Sequence, residues 1–269
     1  MIYLLIHSLV PDISLSGKLE GIVKGKTRSG LLYECERIIK HCKPKYLLME
    51  NVKSLVGKRF KSQFDEWLSY LESLGYTNYW KVLNAKDYGV PQNRERIFVI
   101  SILGYHKPYK FADKIPLDKC VADILEDEVD KKYYINKSFH LVGKGEGNKI
   151  LEYKDKQITL PCICASRGRY LDNPSSGESG KPTEQRFEFN TRGISNTITT
   201  VQKDNYLVEQ TYRIRKLTPR ECFRLMGMRD DDIDKIQAAG ISNTQQYKMA
   251  GNSIVVDVLE AIFKELFLD

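Results

Sequence analysis

The sequence predicts an α/β fold that is followed by a smaller, more irregular region and a helical end. As far as about Tyr105, short apolar segments alternate with amphipathic helical segments. That alternation is typical of a mostly parallel sheet covered by helices. From there to about Arg213 the chain is richer in turns and in short alternating runs, and helical periodicity returns beyond it. We therefore expect an α/β part and a separate small domain.

The elements of the α/β part are predicted from the spacing of apolar side chains. Apolar residues recur at helical spacing in two stretches, and proline or glycine follows each of them at Pro44 and Gly75. Short, continuous apolar runs between these stretches indicate buried strands. The predicted elements are strands at 2–6, 46–49, 79–83 and 97–102, and helices at 28–42 and 60–74.

Two further helices are predicted near the C-terminus. Thr218 to Glu221 has the pattern of a capping box with proline at the first helical position, and Gly227 is expected to close that helix. Beyond Gly251, apolar residues at helical spacing predict a final amphipathic helix.

Composition limits the class of protein. Lys and Arg outnumber Asp and Glu by 42 to 35, which gives a net charge of +7 and fits a polyanionic partner without requiring one. The six cysteines are scattered, which favours a reduced, cytoplasmic protein. The apolar run 2–6 is too short to cross a membrane and lacks the features of a signal peptide, so no membrane association is expected.

Two local patterns could carry chemistry. Glu50 follows a buried strand, and the carboxyl ends of parallel strands are where ligands bind. Arg94 and Arg96 stand at i and i+2 before another apolar strand, so in extended backbone both would point to one side and converge on an anion or a carbonyl oxygen. The alternatives are a surface glutamate that caps the next segment and a solvated basic turn paired with Glu95.

Four segments resemble the signatures of one family. They are Glu50–Val52, Gln92–Arg96, Arg215–Gly227 and Gln246–Val256. In this order and spacing they resemble the DNA (cytosine-5) methyltransferases, and the resemblance runs from about Asp12 to the C-terminus. It implies an α/β, truncated Rossmann-like methyltransferase that depends on S-adenosylmethionine, carries a small target-recognition domain and belongs to a restriction-modification system.

The resemblance also implies roles for residues. A methyl group would pass from S-adenosylmethionine to carbon 5 of a flipped-out cytosine in a specific sequence of double-stranded DNA. Glu50 would hydrogen-bond ring nitrogen 3 and the exocyclic amine, while Arg94 and Arg96 would hold the cytosine carbonyl and other polar groups of the site. Asn252 and Ser253, at the start of the last helix, would help to complete the cofactor pocket.

The chain departs from the family at the nucleophile. The family's Pro-Cys-Gln turn should fall at 9–11, where Val10 occupies the place of the cysteine, and valine cannot form a thiolate. The place of the glycine-rich cofactor loop lies upstream of Met1, so binding of the cofactor by this chain alone is in doubt. We therefore expect the chain to be inactive alone, with a complementary N-terminal half as a possible partner.

The small domain occupies the place of the family's target-recognition domain. Arg167 and Arg169 belong to a basic-aromatic cluster suited to phosphates and base edges, although a plain surface charge cluster is the alternative. Thr199 and Thr200 resemble a pair that lies near the backbone of the flipped base. The predicted segments are 1–104 for the catalytic α/β domain, 105–213 for recognition, 214–250 as helices completing the small domain, and 251–269 as a helix packing back on the catalytic domain.

Two cysteines could be mistaken for functional groups. Pro161-Cys162 resembles part of the catalytic turn, but Ile163 follows it, and Cys162-x-Cys164 has no second pair at metal-ligand spacing. We interpret both as packed strand cysteines and expect no metal site. Two hypotheses for the whole chain remain: one part of a cytosine-5 methyltransferase, or a non-catalytic DNA-binding subunit or gene relic.

Overall fold

A computed structural model describes residues 3–7, 32–135, 150–153, 156–170, 183–189, 192–200, 205–209 and 213–268. The chain divides into two compact units, and each is described by itself. The first unit comprises Met1–Asn84, Glu95–Asp113 and Ala261–Asp269, and the second comprises Ala85–Arg94 and Lys114–Glu260. The four-segment division expected from the sequence stays a prediction.

The strands are β1 (Tyr3–His7), β2 (Tyr46–Val52), β3 (Tyr76–Asn84), β4 (Gln92–Asn93), β5 (Glu95–Leu103), β6 (Ile150–Tyr153), β7 (Lys156–Thr159), β8 (Cys162–Tyr170), β9 (Thr183–Phe189), β10 (Ser195–Asn196), β11 (Tyr206–Val208) and β12 (Ile214–Lys216). The helices are α1 (Leu32–Cys42), α2 (Lys61–Ser73), α3 (Pro219–Arg224), α4 (Asp230–Ala238), α5 (Asn243–Asn252) and α6 (Val256–Phe267). None of the helices in the described part of the chain has the length and apolar character that a membrane span requires.

The sheet of the first unit has the order β1-β2-β5-β3. β1 and β2 are parallel, but β5 runs antiparallel to both β2 and β3. β1, β2 and β3 therefore run in one direction, which agrees with the expectation of a mostly parallel sheet, and β5 alone is reversed. The reason is the connection from β3 to β5, which contains no helix that could carry the chain back to the other end of the sheet.

Helices α1 and α2 follow the periodicity of their apolar residues and supply the core of the first unit. Ile39 of α1 and the buried side chains of α2 pack with β2 and β5 in one hydrophobic cluster. Gly75 adopts a φ of 94°, and its N–H donates to the carbonyl of Glu72, which ends α2 where the sequence predicts. Residues 28–31 of the predicted first helix lie outside the described part.

The main sheet of the second unit is antiparallel and has the order β12-β11-β8-β9. Cys162 and Cys164 of β8 are buried with Val208 of β11 in its core. β6 and β7 form a separate hairpin, and the two-residue strands β4 and β10 pair in parallel. These short elements agree with the irregular, turn-rich pattern of the sequence.

The capping box at Thr218 is confirmed. The Thr218 hydroxyl accepts from the N–H of Glu221, the Glu221 carboxylate accepts from the N–H of Thr218, and Pro219 is the first residue of α3. Gly227 then follows α3 with a φ of 74°. Helix α4 and most of α5 lie within 214–250, which was expected to be helical, but their separate bounds were not predicted because their hydrophobic periodicity is weak. Ile233 is the buried residue of α4.

The place of Asn252 and Ser253 differs from the expectation. Asn252 is the last residue of α5 and Ser253 is its C-cap, whereas α6 starts only at Val256. The apolar run after Gly251 suggested one continuous helix. Ser253 has an extended backbone with a ψ of 158°, so α5 ends there and a short connection leads to α6.

Candidate active site and substrate-binding residues

A buried ion pair on the sheet of the first unit joins Glu50 to Arg96. The antiparallel register sets Glu50 opposite Phe98 and Val52 opposite Arg96, so Glu50 and Arg96 are diagonal neighbours on one face. β2 continues two residues beyond Glu50, so this carboxylate belongs to the strand itself and not to the loop after it. Register alone therefore brings together two of the residues singled out in the sequence.

The geometry of this pair is that of a fixed charge in a largely dry environment. The Nε of Arg96 lies 3.1 Å from Oε1 of Glu50, and the two side chains are 16% and 1% exposed. Burial lowers the pKa of Arg96, and the Glu50 carboxylate opposes that shift. The Nη1 of Arg96 also donates to the carbonyl of Glu95 at 2.9 Å. Glu95 itself is exposed and pairs with Lys53.

Arg94 lies in the second unit and contacts different groups. It falls between β4 and β5 and is buried. Its guanidinium donates to the carbonyls of Ile198, Gly251 and Ser253 at 3.3, 3.0 and 3.0 Å. The expected convergence of Arg94 and Arg96 assumed continuous extended backbone. Because the strand is interrupted at Arg94, the contacts described for the two arginines are made with separate groups.

Sequence reasoning missed two side chains beside Arg94. Gln92 is fully buried, and its Oε1 accepts from the N–H of Ile198 at 3.1 Å. Asn205 is 2% exposed and hydrogen-bonds both main-chain groups of Thr199. Gln92 stood inside a recognised signature, which was a usable signal, whereas a single asparagine in a turn-rich stretch gives none.

The third signature contains a buried network in the second unit. Both Nη atoms of Arg215 lie 2.7 Å from the carboxylate of Glu221, and its Nε lies 2.9 Å from Glu209. The Glu221 carboxylate also accepts from the N–H of Thr218 and the N–H of Glu126. Every contact described for Glu221 is thus internal, which indicates a structural role for this signature.

The remaining predicted residues are placed as follows. Asn252 is exposed and Ser253 is half-buried. Arg167 and Arg169 lie in β8, opposite Arg186 and Glu184 of β9, and their side chains are outside the described part. Val10 also lies outside the described residues.

The two strand cysteines are confirmed as core residues. Cys162 and Cys164 are both buried, and burial raises the pKa of Cys162 to about 12. A thiol with that pKa is protonated at neutral pH and is a poor nucleophile. Within the described ranges, no group of three or more His, Cys, Asp or Glu residues is arranged to hold a metal ion.

Comparison with known proteins decides the family. The family model for C-5 cytosine-specific DNA methylases matches residues 11–268. The chain belongs to this family. The chain is 42% identical over 259 residues to the type II methyltransferase M2.ScrFI of Lactococcus lactis subsp. cremoris, covering 95% of this chain and 64% of that protein. It is 30% identical over 261 residues to the orphan methyltransferase M.SssI of Spiroplasma monobiae, covering 95% and 63%.

Solved structures support the fold of this chain. The S. pombe Dnmt2 methyltransferase matches with a TM-score of 0.63 at 17% identity, covering 99% of this chain and 78% of that one. The Entamoeba histolytica methyltransferase EhMeth matches with a TM-score of 0.61 at 18% identity, covering 99% and 77%. The α/β methyltransferase fold expected from the sequence is thus confirmed, and the chain spans about two thirds of the length of the curated relatives named above.

Proposed function

We propose that this chain carries the base-holding and DNA-recognition parts of a DNA (cytosine-5) methyltransferase and does not methylate DNA by itself. The observation that supports the proposal most directly is the buried Glu50–Arg96 pair on the sheet of the first unit. A carboxylate that is 1% exposed is costly to bury, and its placement beside a guanidinium indicates a built polar site.

The pair fits the polar edge of a cytosine. One carboxyl oxygen of Glu50 would accept from the exocyclic amine, and the other would share a proton with ring nitrogen 3. The guanidinium of Arg96 would keep Glu50 in place and donate to the cytosine carbonyl. Arg96 suits this second task because 16% of its side chain remains exposed. Fixed donors of this kind stabilise charge that develops on the ring far better than mobile water does.

The cofactor proposed for this family is S-adenosylmethionine, which supplies the methyl group when bound. Of the two residues assigned to it, Asn252 presents an exposed side chain, whereas the carbonyl of Ser253 already accepts from Arg94. One amide can contribute a contact but cannot enclose a molecule of this size. These two residues therefore do not form a complete cofactor site by themselves, and the steps proposed for this chain are limited to holding the base.

Recognition of DNA is assigned to the second unit. Arg167 and Arg169 would contact phosphates or base edges from β8, and Thr199 and Thr200 would lie near the backbone of the flipped nucleotide. We expect DNA binding to weaken with salt, with a slope of about −0.9 per phosphate contact in a plot of log affinity against log salt concentration. Arg167→Ala should reduce that slope by about one. An unchanged slope would remove Arg167 from the interface.

The role of Glu50 can be tested by binding alone. A duplex with a mismatched, easily extruded cytosine should bind more tightly than the matched duplex, because less unpairing is needed. Glu50→Gln should lower this preference about tenfold, the cost of one hydrogen bond to a charged group. Glu95→Gln is the matched control, since Glu95 is exposed and pairs with Lys53. Equal preference in the wild type and Glu50→Gln would contradict the assignment.

Catalytic inactivity has a separate test. The purified chain should transfer no radiolabelled methyl group to DNA because Val10 supplies no thiolate. Methylation by the unmodified chain would refute this part of the proposal.

The departure at Val10 favours a second candidate, a DNA-binding subunit or gene relic that needs a complementary N-terminal half. Such a half would carry the Pro-Cys-Gln turn. Co-expression with a polypeptide that ends in Pro-Cys-Gln should raise the soluble yield and restore methylation. If neither the soluble yield nor methylation increases, the proposal of a complementary half is contradicted.

A further inference from the structure

The segment Ile198–Thr200 of the second unit is held by side chains and not by a regular element. Gln92 Oε1 accepts from the N–H of Ile198 at 3.1 Å, and Arg94 Nη1 donates to the carbonyl of Ile198 at 3.3 Å. Asn205 Oδ1 accepts from the N–H of Thr199 at 3.4 Å, and its Nδ2 donates to the Thr199 carbonyl at 3.2 Å. Three side chains therefore bind all four main-chain polar groups of these two residues.

The same three residues also hydrogen-bond other parts of the second unit. Gln92 Nε2 donates to the carbonyl of Leu225 at 2.6 Å, and Arg94 Nη2 donates to the carbonyls of Gly251 and Ser253. The carbonyl of Asn205 accepts from the N–H of Leu217 at 3.0 Å. Gln92, Arg94 and Asn205, which we call the clamp residues, thus each connect Ile198 or Thr199 to a different part of the unit. These connections leave the segment little freedom to shift.

Gly251 in α5 packs closely against the backbone of this segment. A Cβ added to Gly251 would stand 2.6 Å from the nitrogen of Thr200 and 2.7 Å from the carbonyl carbon of Thr199. Real Cβ atoms do not approach other atoms so closely. The helix therefore packs backbone to backbone on Thr199–Thr200, and the Arg94 contact with the Gly251 carbonyl fixes that approach.

We propose that Gln92, Arg94 and Asn205 are positioning residues that fix the backbone of Ile198–Thr200 for contact with DNA. This inference rests on the proposed function, in which Thr199 and Thr200 contact the backbone of the flipped nucleotide. Thr200 is exposed and Thr199 half-buried, so the held segment presents both to a partner. A segment ordered before binding loses less conformational entropy when it contacts DNA. Arg94 then acts through this segment and does not touch the base.

The clamp can be tested without DNA. Amide hydrogen exchange of the full chain should show faster exchange of the Ile198 amide in Gln92→Met and of the Thr199 amide in Asn205→Ala. The expected increase is about two- to tenfold, which corresponds to one hydrogen bond. Amides of α2 should be unchanged in both. Unchanged protection of Ile198 and Thr199 in the two variants would overturn the clamp.

The positioning role is tested by DNA affinity, with fluorescence anisotropy of a short duplex at several salt concentrations. Asn205→Ala should weaken binding about two- to tenfold at an unchanged salt slope, because it removes order and no charge. Arg94→Met should also weaken binding at an unchanged slope, because its charge is used on carbonyls inside the unit. A slope shallower by about one would place Arg94 on a phosphate and overturn its assignment.

A matched control separates positioning from general loss of stability. Tyr134→Phe removes one hydrogen bond to Glu209 in the same unit and should leave DNA affinity unchanged. If it weakens binding as much as Asn205→Ala does, the effect is structural and the proposal fails.

If Asn205→Ala does not fold, Asn205→Asp keeps the acceptor for the Thr199 amide, and that amide should stay protected. Protection without any DNA binding by the wild type would contradict the proposed function and with it the positioning role, while the clamp would stand.

Discussion

Removal of Arg215 should destabilise the second unit more than any substitution of an exposed charge. Arg215 and Glu221 have side chains that are 2% and 0% exposed, and both carboxyl oxygens of Glu221 lie 2.7 Å from the guanidinium. Arg215→Met would leave the carboxylate buried without this cation. Breaking a buried pair from one side typically costs about 3–5 kcal/mol. We therefore expect Arg215→Met to lower the free energy of unfolding by about that amount.

The double variant Arg215→Met/Glu221→Leu tests the cause. If the cost arises from an uncompensated charge, removing both partners should restore part of the stability. Recovery will be partial because Glu221 also accepts from the N–H groups of Thr218 and Glu126, and loss of such a cap costs about 1 kcal/mol. We expect the double variant to lie about 2–4 kcal/mol below the wild type, which adds about 1 kcal/mol for the lost cap to about 1–3 kcal/mol for one unsatisfied buried donor.

Urea unfolding followed by far-ultraviolet circular dichroism measures these values. Arg229→Met is the control, because Arg229 is 81% exposed in its pair with Asp232, and exposed pairs contribute about 0–1 kcal/mol. A loss below 1 kcal/mol for Arg215→Met would refute the reasoning. So would a double variant that is less stable than Arg215→Met alone.

Three further outcomes follow from the described contacts. Burial raises the pKa of Cys162 to about 12, so this thiol should stay unlabelled by iodoacetamide at pH 8 in the native protein. Cys42 is exposed and should be labelled, and mass spectrometry of the peptides checks both outcomes. The hydrogen bond from the Arg224 guanidinium lowers the pKa of Asp230, so its contribution to stability is present above the ordinary value of 3.8 and is lost as the pH falls through the lowered pKa. The urea midpoint of the wild type should consequently fall more between pH 5 and pH 3 than that of Asp230→Asn, and an equal fall would contradict the linkage. In Gly251→Ala, the Thr200 backbone would have to move by about 0.8 Å to reach an ordinary contact of 3.4 Å. We therefore expect a lower free energy of unfolding, although alanine favours helix by about 1 kcal/mol over glycine. A rise in the urea midpoint would show that the close approach is absent.

Local features of the fold could be predicted because neighbouring residues determine them. The capping box at Thr218 needs three consecutive neighbours, and α2 needs only its own apolar spacing and the glycine that follows. The direction of β5 was missed, although the short connection after β3 held the information: ten residues without a helical pattern cannot make the usual parallel crossover. The region 214–250 was expected to be helical, but the bounds of α4 and α5 were not predicted because their sequences are polar.

The clamp around Ile198–Thr200 could not be predicted because its partners are distant in sequence. Arg94 lies 104 residues before Ile198 and 157 before Gly251 along the chain. No periodicity or spacing encodes such a contact. The signature Gln92–Arg96 marked two of the three clamp residues, but resemblance alone assigned Arg94 to the base. Only its described hydrogen bonds with main-chain carbonyls indicate the other role.

The signature segments of this chain therefore contain arginines of two kinds, those that join segments of the chain and those proposed to bind a substrate. A sequence motif cannot distinguish the two. Arg94 and Arg215 are buried and donate to groups of the second unit, so their charge is used to join segments of the chain. Arg96 is bound to Glu50 on a sheet face, and 16% of its side chain remains exposed. An arginine that must contact a substrate cannot have its donors fully used within the protein. The identity of the acceptors and the remaining exposure of each arginine therefore favour the proposed assignment, in which Glu50 and Arg96 hold the base and Arg94 supports the segment proposed to contact DNA.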